Sequence, residues 1–483
     1  MKKIISFTTT LLFLTIIIGV NLGVYQLPDL KIDLSANKIN SLSNYTTKTI
    51  NNIDGQVEMV VYASNNLPGE ARPVLYGLRA ILKSMETVNK SKFKLTIIDP
   101  SSDDKAKADV AKYGIKELQF SSIKNDKFEV QKGYFGLVMK YKEKYEVLPV
   151  AGDVGNLEYL LVSGIKRLTS TAIPILAFYE DEGTVQSGIQ YLKKYLEGSY
   201  KVVEVALDGD KEFPTEASGL VIVGRSTKID DKGITKLVRW IDSGRPTVAF
   251  VDRTEVNQNM VVTKTVDTGL EKIFEDRGMK MNSGLISSPK GAVASFKTQT
   301  GSFLVQYPYW LQINSNQIDS SNPTLSGINS LLIPWASNIE VNNEAKPLFW
   351  VDNSTLDDSV SDVSPASLKK SSEAGKRYVV GAVRSDKLKL AVISDKDFVT
   401  DQFVVNSQQN LALALNLIDY MSGDSGIFEI RNKVMSVNQL REVPDNIKNV
   451  IKYGNMAVPV LLLVGVYFLT QIRRSRRLKT VIL

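Results

Sequence analysis

The chain contains no cysteine and no histidine, so any chemistry it performs must come from carboxylates, hydroxyls, amines and guanidinium groups. That absence removes thiolate nucleophiles, disulfides, the Ser-His-Asp triad and imidazole or thiolate metal ligands. Polar side chains recur where short apolar runs end. Glu180, Asp181 and Glu182 follow the run closing at Tyr179, and Arg225 follows Leu220–Val223. Asp252 and Arg253 follow Thr247–Val251, and Ser394, Asp395 and Asp397 follow Leu388–Ile393. If these runs are parallel strands of an open sheet, the residues sit at the carboxyl ends, where such sheets bind ligands. The functional reading is a polar or cation-binding crevice. The competing reading is that Asp and Arg at strand ends cap helices and form ion pairs.

Other motifs are weaker. Asp208-Gly209-Asp210-Lys211-Glu212 has carboxylates at alternate positions, as calcium loops do. It lacks the glycine at position six and the distal bidentate Glu, so a turn is expected. No Gly-x-x-x-x-Gly-Lys-Ser/Thr run occurs, so the chain does not supply a P-loop ATPase. Tyr307, Tyr309, Trp310 and Trp335 offer either an aromatic contact surface for a protein or glycan partner or ordinary packing. No catalytic residue, resident metal or cofactor is expected.

The elements that must position these residues follow from hydrophobic periodicity. Between about 30 and 170, a helix capped by Ser43 precedes a strand at Val57–Ala63. Helical spacing over Pro73–Val88 places Leu75, Leu78, Ile81, Leu82 and Met85 on one face. A strand at Phe93–Ile98, a helix at Ala106–Tyr113, a hairpin at Tyr134–Tyr141 and Tyr145–Val150, and a helix at Leu157–Leu168 complete a first α/β domain. A second α/β domain is expected over 171–445. Its strands at Ile175–Tyr179, Lys201–Leu207, Leu220–Val223, Thr247–Val251 and Leu388–Ile393 alternate with helices at Ile189–Leu196 and Ile234–Ile241. A further helix spans Gln408–Met421. That alternation implies βαβ units and a mostly parallel, helix-covered sheet. Thr263–Ser302 reads as a polar insertion and Ser354–Ser372 as an exposed loop.

Both ends carry membrane signals. After Met1-Lys2-Lys3, residues 4–25 are uncharged for 22 positions, enough to cross a bilayer core of about 30 Å. The stretch around Ile18–Gly23 has no Ala-x-Ala cleavage pattern, which favours an uncleaved signal anchor over a signal peptide. A second span is expected at 454–472, containing 17 uncharged residues from Met456 to Ile472, followed by Arg473, Arg474, Arg476, Arg477 and Lys479. By the positive-inside rule both termini, 1–3 and 473–483, are cytoplasmic, and the bulk of the chain is extracytoplasmic. The expected location is the cytoplasmic (inner) membrane, crossed twice. This topology also explains the net charge of +7. Lys2, Lys3 and the five basic residues after Ile472 leave 52 of the 59 Lys+Arg to face all 52 Asp+Glu. The head is then neutral, which leaves no basis for nucleic acid as a partner.

Several local patterns resemble one family. They begin with Ile32-Asp33-Leu34-Ser35, Ser41-Leu42-Ser43 and Thr46 to Ile50. Tyr307-Pro308-Tyr309-Trp310, Asn322-Pro323 and Pro334-Trp335-Ala336-Ser337 follow. The strongest is Ser394-Asp395-Lys396-Asp397-Phe398, with Asn410, Asn416, Ile418-Asp419-Tyr420 and Ile430-Arg431-Asn432-Lys433. With Pro459 in the last span and the Arg tail, the chain resembles GldG-type proteins, auxiliary subunits of an ABC transport system first associated with gliding motility. Where that family commonly has Gly before Asp, this chain has Ser394. The resemblance implies a permease subunit, a separate cytoplasmic ATPase and the lipid bilayer as partners. It also implies that the second domain is similar to the class I glutamine-amidotransferase-like fold, without that chemistry. The enzymes of that fold use a Cys nucleophile on a strand-to-helix elbow and a His base. The equivalent turn here is Val223-Gly224-Arg225-Ser226, and no base is available to activate Ser226. A membrane-tethered carbohydrate-binding or hydrolase head, or a scaffold of a surface machine, is the alternative.

Overall fold

The computed structural model describes residues 41–479 except 66, 68–71, 102–103, 125–126, 150–156, 171–172, 182–187, 258, 299–300, 369–374, 423–429 and 431–444. The expected first span, the juxtamembrane residues 32–35, Glu182 and the Arg431-Asn432-Lys433 motif lie outside the described residues. The chain divides into two compact units, Met1–Val437 and Asn438–Leu483.

The first unit is α/β and holds two main sheets. In the first, β1 (Val57–Ala63) is central, pairing parallel with β2 (Phe93–Ile98). The hairpin strands β3 (Glu117–Lys124), β4 (Lys127–Tyr141) and β5 (Lys144–Pro149) complete it, with β4 antiparallel to β1, β3 and β5. Strand β1 alternates its faces. Val57, Met59 and Val61 pack with Leu75, Leu78, Leu82 and Met85 of α2 (Arg72–Val88) and with α4 (Leu157–Thr169). Val60 and Tyr62 meet Val110 of α3 (Asp104–Lys112) on the other side. Ser43 caps α1 (Asn44–Asn51) as expected, its Oγ accepting from Thr46 N at 3.0 Å. Buried Glu158 ties that cap to α4 by accepting from Ser43 N at 2.7 Å and Thr46 Oγ1 at 2.6 Å. The long β3–β4 hairpin was not anticipated, because its sequence lacks the apolar alternation that marks a half-buried strand.

The second sheet has eight strands. Strands β6 (Ile175–Glu180), β7 (Lys201–Glu204), β8 (Ala217–Val223) and β9 (Thr247–Phe250) are parallel. An antiparallel extension uses β10 (Leu285–Ser287), β11 (Lys346–Asp357), β12 (Lys376–Ser385) and β13 (Lys389–Ile393). Strand β13 pairs parallel with β9, so the order is β10-β11-β12-β13-β9-β8-β6-β7. The chain moves from β6 to β7 on one side and then to β8 on the other. The order therefore reverses between β6 and β8, the switch point at which open sheets bind ligands.

Both faces are covered, which is why these strands read as continuous apolar runs. Phe178, Val221, Val223 and Phe250 pack under α5 (Gln190–Glu197) and α9 (Gln408–Met421). Ala177, Leu220, Ile222 and Ala249 pack under α6 (Asp231–Asp242) and α7 (Leu270–Glu275). Helix α8 (Asp401–Asn406) leads into α9.

Two sequence expectations are corrected. Thr263–Ser302 is not a polar insertion: Leu270, Ile273, Phe274, Met279, Met281, Leu285 and Ile286 are buried in the body of the domain. Ser354–Ser372 is not wholly an exposed loop, since Ser354 is fully buried inside β11. In both segments, serines and charges between short apolar triplets hide strands of three residues or a bulged edge.

The second unit contains α10 (Asp445–Lys479), which includes the expected second span, 454–472. Val450, Met456, Val458, Leu461, Val464, Tyr467 and Phe468 along it are exposed. Among the described residues no helix is long and apolar enough to cross a membrane.

Candidate functional site

At the carboxyl edge of the second sheet, the turns after β9 and β13 bring Asp252, Asp395 and Asp397 together. One carboxylate oxygen from each lies within 4.8 Å of the others. Lys396, which the sequence reading quoted only as part of a family motif, sits among them with 4 % of its side chain exposed. Its Nζ donates to Asp252 Oδ2 and lies 3.4 Å from Asp397 Oδ2, while its backbone N–H donates to Asp252 Oδ1 at 2.8 Å. The Lys396 ammonium thus supplies the counter-charge for two of the three carboxylates, Asp252 and Asp397. Asp395 is fully buried and accepts from Asp397 N at 2.8 Å and Phe398 N at 3.2 Å, closing the turn that follows β13. Burial raises its carboxyl well above the usual range, and neighbouring Asp397 and Asp252 push the same way. Burial also lifts Asp397 to about 6 against the pull of Lys396, with Asp252 adding to the rise. Burial alone would lower Lys396, yet Asp252 and Asp397 outweigh it and hold the amine charged.

Beside this cluster a cleft of about 10 Å³ is lined by Arg225, Ser226, Asp252, Glu255, Val266 and Lys396. That is below the roughly 300–1,000 Å³ of small-molecule pockets. The remaining expected residues are committed elsewhere. Arg225 spends its fork on the protein, donating to Thr227 O (2.7 Å), Tyr179 OH (3.0 Å), Asp208 Oδ1 (3.0 Å) and Lys228 O (3.1 Å). Asp181 accepts from Ser226 N at 2.8 Å and Ser226 Oγ at 2.9 Å. Glu180 pairs with Lys193 of α5 at 2.5 Å. Arg253 donates to Val266 O and lies 3.6 Å from Glu271. Ser394 donates to Ser337 O at 2.5 Å and Val380 O at 3.1 Å. The carboxylates of 208–212 go to three different cations, Arg225, Lys232 and Arg239, as a turn would place them.

A single pattern runs through these contacts. Helix N-termini and backbone N–H nests are ready-made anion sites, and along this edge the chain fills them with its own carboxylates. Asp401 accepts from Gln190 N at 3.1 Å and Tyr191 N at 3.0 Å at the start of α5, beside the switch point. Asp181 fills the turn after β8, whose Gly224 has φ +72°. Asp230 caps α6 through Gly233 N at 2.7 Å.

The aromatic residues resolve toward packing. Tyr307 and Tyr309 are buried, and Trp310 and Trp335 stand edge-on to Phe403 with ring centroids 5.0 and 5.8 Å away. The motif residues on α9 are structural. Asn410 Nδ2 donates to Leu332 O at 2.6 Å and Phe398 O at 3.0 Å, Asn416 Nδ2 to Thr324 O at 3.0 Å, and Asp419 accepts from Tyr200 OH at 2.8 Å.

Residues 174–421, just over half the chain, match the family model described as an ABC-type uncharacterized transport system. The chain belongs to this ABC-type transport system family. Its matched region contains the eight-stranded sheet and the carboxyl edge, while residues 36–140 match a domain of unknown function. An uncharacterized protein of Borreliella burgdorferi is 22% identical, covering 92% of this chain and 94% of its own length. Among solved structures, the mmIFT52 N-terminal domain aligns at TM-score 0.36 and 14% identity, over 51% of this chain and 97% of its own. A ThuA-like protein from Parabacteroides merdae aligns at 0.29 and 10%, over 57% and 95%. At those scores neither likeness carries an argument, and the glutamine-amidotransferase-like expectation gains nothing from them.

Proposed function

We propose that the chain is a non-enzymatic auxiliary subunit of an ABC transporter, of the GldG-type, held in the cytoplasmic membrane by residues 4–25 and 454–472. The observation that carries the reading is family membership across 174–421. The self-occupied carboxyl edge supports the non-enzymatic part. Catalysis needs polar groups aimed at a reacting molecule, whereas here they are aimed at one another. The apolar residues exposed along α10, followed by the Arg-rich tail, support the anchor. The head, neutral in net charge, would engage substrate or an extracytoplasmic protein or glycan while the spans pair with a permease, whose ATPase is a separate cytoplasmic chain. The hydrolase alternative needs carboxylates open to a sugar-sized cleft, and the paired groups around a cleft of about 10 Å³ weigh against it.

Affinity purification of the full chain in mild detergent is expected to recover a multi-span permease and an ATPase. Recovery of a lone, monodisperse protein overturns the proposal. Because the chain has no cysteine, topology can be read from single introduced thiols. A membrane-impermeant maleimide is expected to label Asn343→Cys in intact cells and to leave Lys2→Cys unlabelled until lysis. The reverse pattern would invert the topology.

A further inference from the structure

The hairpin of Val293–Thr298 and Gly301–Gln306 stands apart from both main sheets. Its register runs unbroken from Val293 opposite Gln306 to Thr298 opposite Gly301, and among the described residues neither strand pairs with any other. Its root is fixed: the Phe296 ring packs on Tyr307 and Trp310, with ring centroids 5.3 and 6.3 Å away. Beyond that root both faces meet solvent. Phe303 is 43 % exposed and Leu304, on the opposite face, is 73 % exposed. A two-stranded ribbon is marginal in water, and further strands are what stabilise it.

The two edges of the hairpin differ. Tyr307 N donates to Ala292 O at 2.8 Å. Because an antiparallel ladder alternates, the backbone groups of Phe303 and Val305 then turn toward Val293–Thr298, and those of Ser302, Leu304 and Gln306 turn outward. Natural sheet edges block pairing with a charge, a proline or a bulge. Lys297 supplies the charge on the first strand, whereas Ser302–Gln306 carries none of the three. Main-chain donors and acceptors at strand spacing select an extended segment as occupant. The sequence of this edge matches itself. In antiparallel pairing centred on Leu304, Leu304 faces the partner's Leu304, Phe303 faces the partner's Val305, and Ser302 faces the partner's Gln306. Apolar meets apolar and polar meets polar. No charge is opposed, since residues 298–318 contain none.

We propose that the edge Ser302–Gln306 pairs with the same edge of a second copy, joining two hairpins into a four-stranded ribbon about a two-fold axis at Leu304. The inference is independent of the transporter reading. Two short strands make a small interface, so sedimentation of the purified full chain in density-matched detergent runs up to roughly 100 μM. A dimer is expected. Leu304→Lys sets like charges face to face at the axis and should return the mass to that of the monomer. The exposure of Leu304 leaves the melting transition unchanged. Because the chain has no cysteine, Leu304→Cys should form an intermolecular disulfide under mild oxidation, its Cα atoms lying about 5.5 Å apart. Ser295→Cys, opposite Leu304 on the first strand, lies about 14 Å from its copy, three strand spacings, and should form none. A monomeric parent, a dimer that survives Leu304→Lys, or equal crosslinking at both positions overturns the proposal. So does a foreign chain lost on Leu304→Lys without a disulfide at Leu304→Cys, which would give the edge to another protein.

Discussion

Two polar regions of the same unit sit in opposite conditions. The carboxyl edge occupies the place where open α/β sheets bind ligands and carries the denser set of charges. Yet Lys396, Arg225, Asp181 and Asp401 all answer to partners within the chain. The surroundings of α4 have no such pedigree and fewer charges, but they keep one buried hydroxyl, that of Ser163, without a hydrogen-bond partner. Position in a fold nominates a site, and the bookkeeping of donors and acceptors decides whether anything is left to bind with. A sheet edge whose anion nests hold its own carboxylates has few donors left to offer a ligand, which accords with the proposed non-enzymatic role.

The comparison breaks most decisively at Lys396. If the ammonium is the structural cation of its cluster, Lys396→Met strands Asp252 and Asp397 in a buried site. The loss should be on the order of 3–5 kcal/mol in denaturant unfolding of the full chain. A loss below about 1 kcal/mol would mean that the edge is plastic and its self-occupation incidental.

The next effect is in pH. Asp397 titrates near 6 in the folded chain and near 4 when unfolded. Between those values the native state holds the proton and the unfolded state does not, so stability falls as pH rises through that window. At about 1.4 kcal/mol per unit the contribution is roughly 2–3 kcal/mol. Asp230, Asp362 and Asp386, each lowered chiefly by hydrogen bonds, act in the opposite direction and lose stability on acidification. The readout is therefore the difference between the parent and Asp397→Asn, whose unfolding free energy should be flatter from pH 4 to 6. Parallel profiles would refute the assignment.

Sequence periodicity sufficed for the parallel strands and their helices, since a strand covered on both faces must be apolar throughout and Gln408–Met421 can only be a buried helix. It missed the β3–β4 hairpin and the short strands of 263–302, where each strand buries too few residues to leave a pattern. At the edge, Asp252, Asp395 and Asp397 were identifiable from the ends of apolar runs. Their counter-ion was passed over because a lysine between two aspartates reads as a solvated surface charge. Ser163 carried no signal at all: its burial without a partner is a property of how α4 packs, which no local spacing encodes.

The finest test compares two buried serines, one from each region. Ser394 is fully buried and its hydroxyl donates to Ser337 O and Val380 O. Removing it leaves carbonyls short of a donor, and Ser394→Ala should cost about 1–2 kcal/mol. Ser163 is almost as deeply buried, with a hydroxyl that meets no protein partner. Its removal gives up no hydrogen bond and relieves an unpaired dipole. In chloride buffer Ser163→Ala should therefore be neutral or stabilising, by about 0–1 kcal/mol. A destabilised Ser163→Ala in chloride would show that the hydroxyl is already spent within its own helix, and the two regions would then differ only in charge.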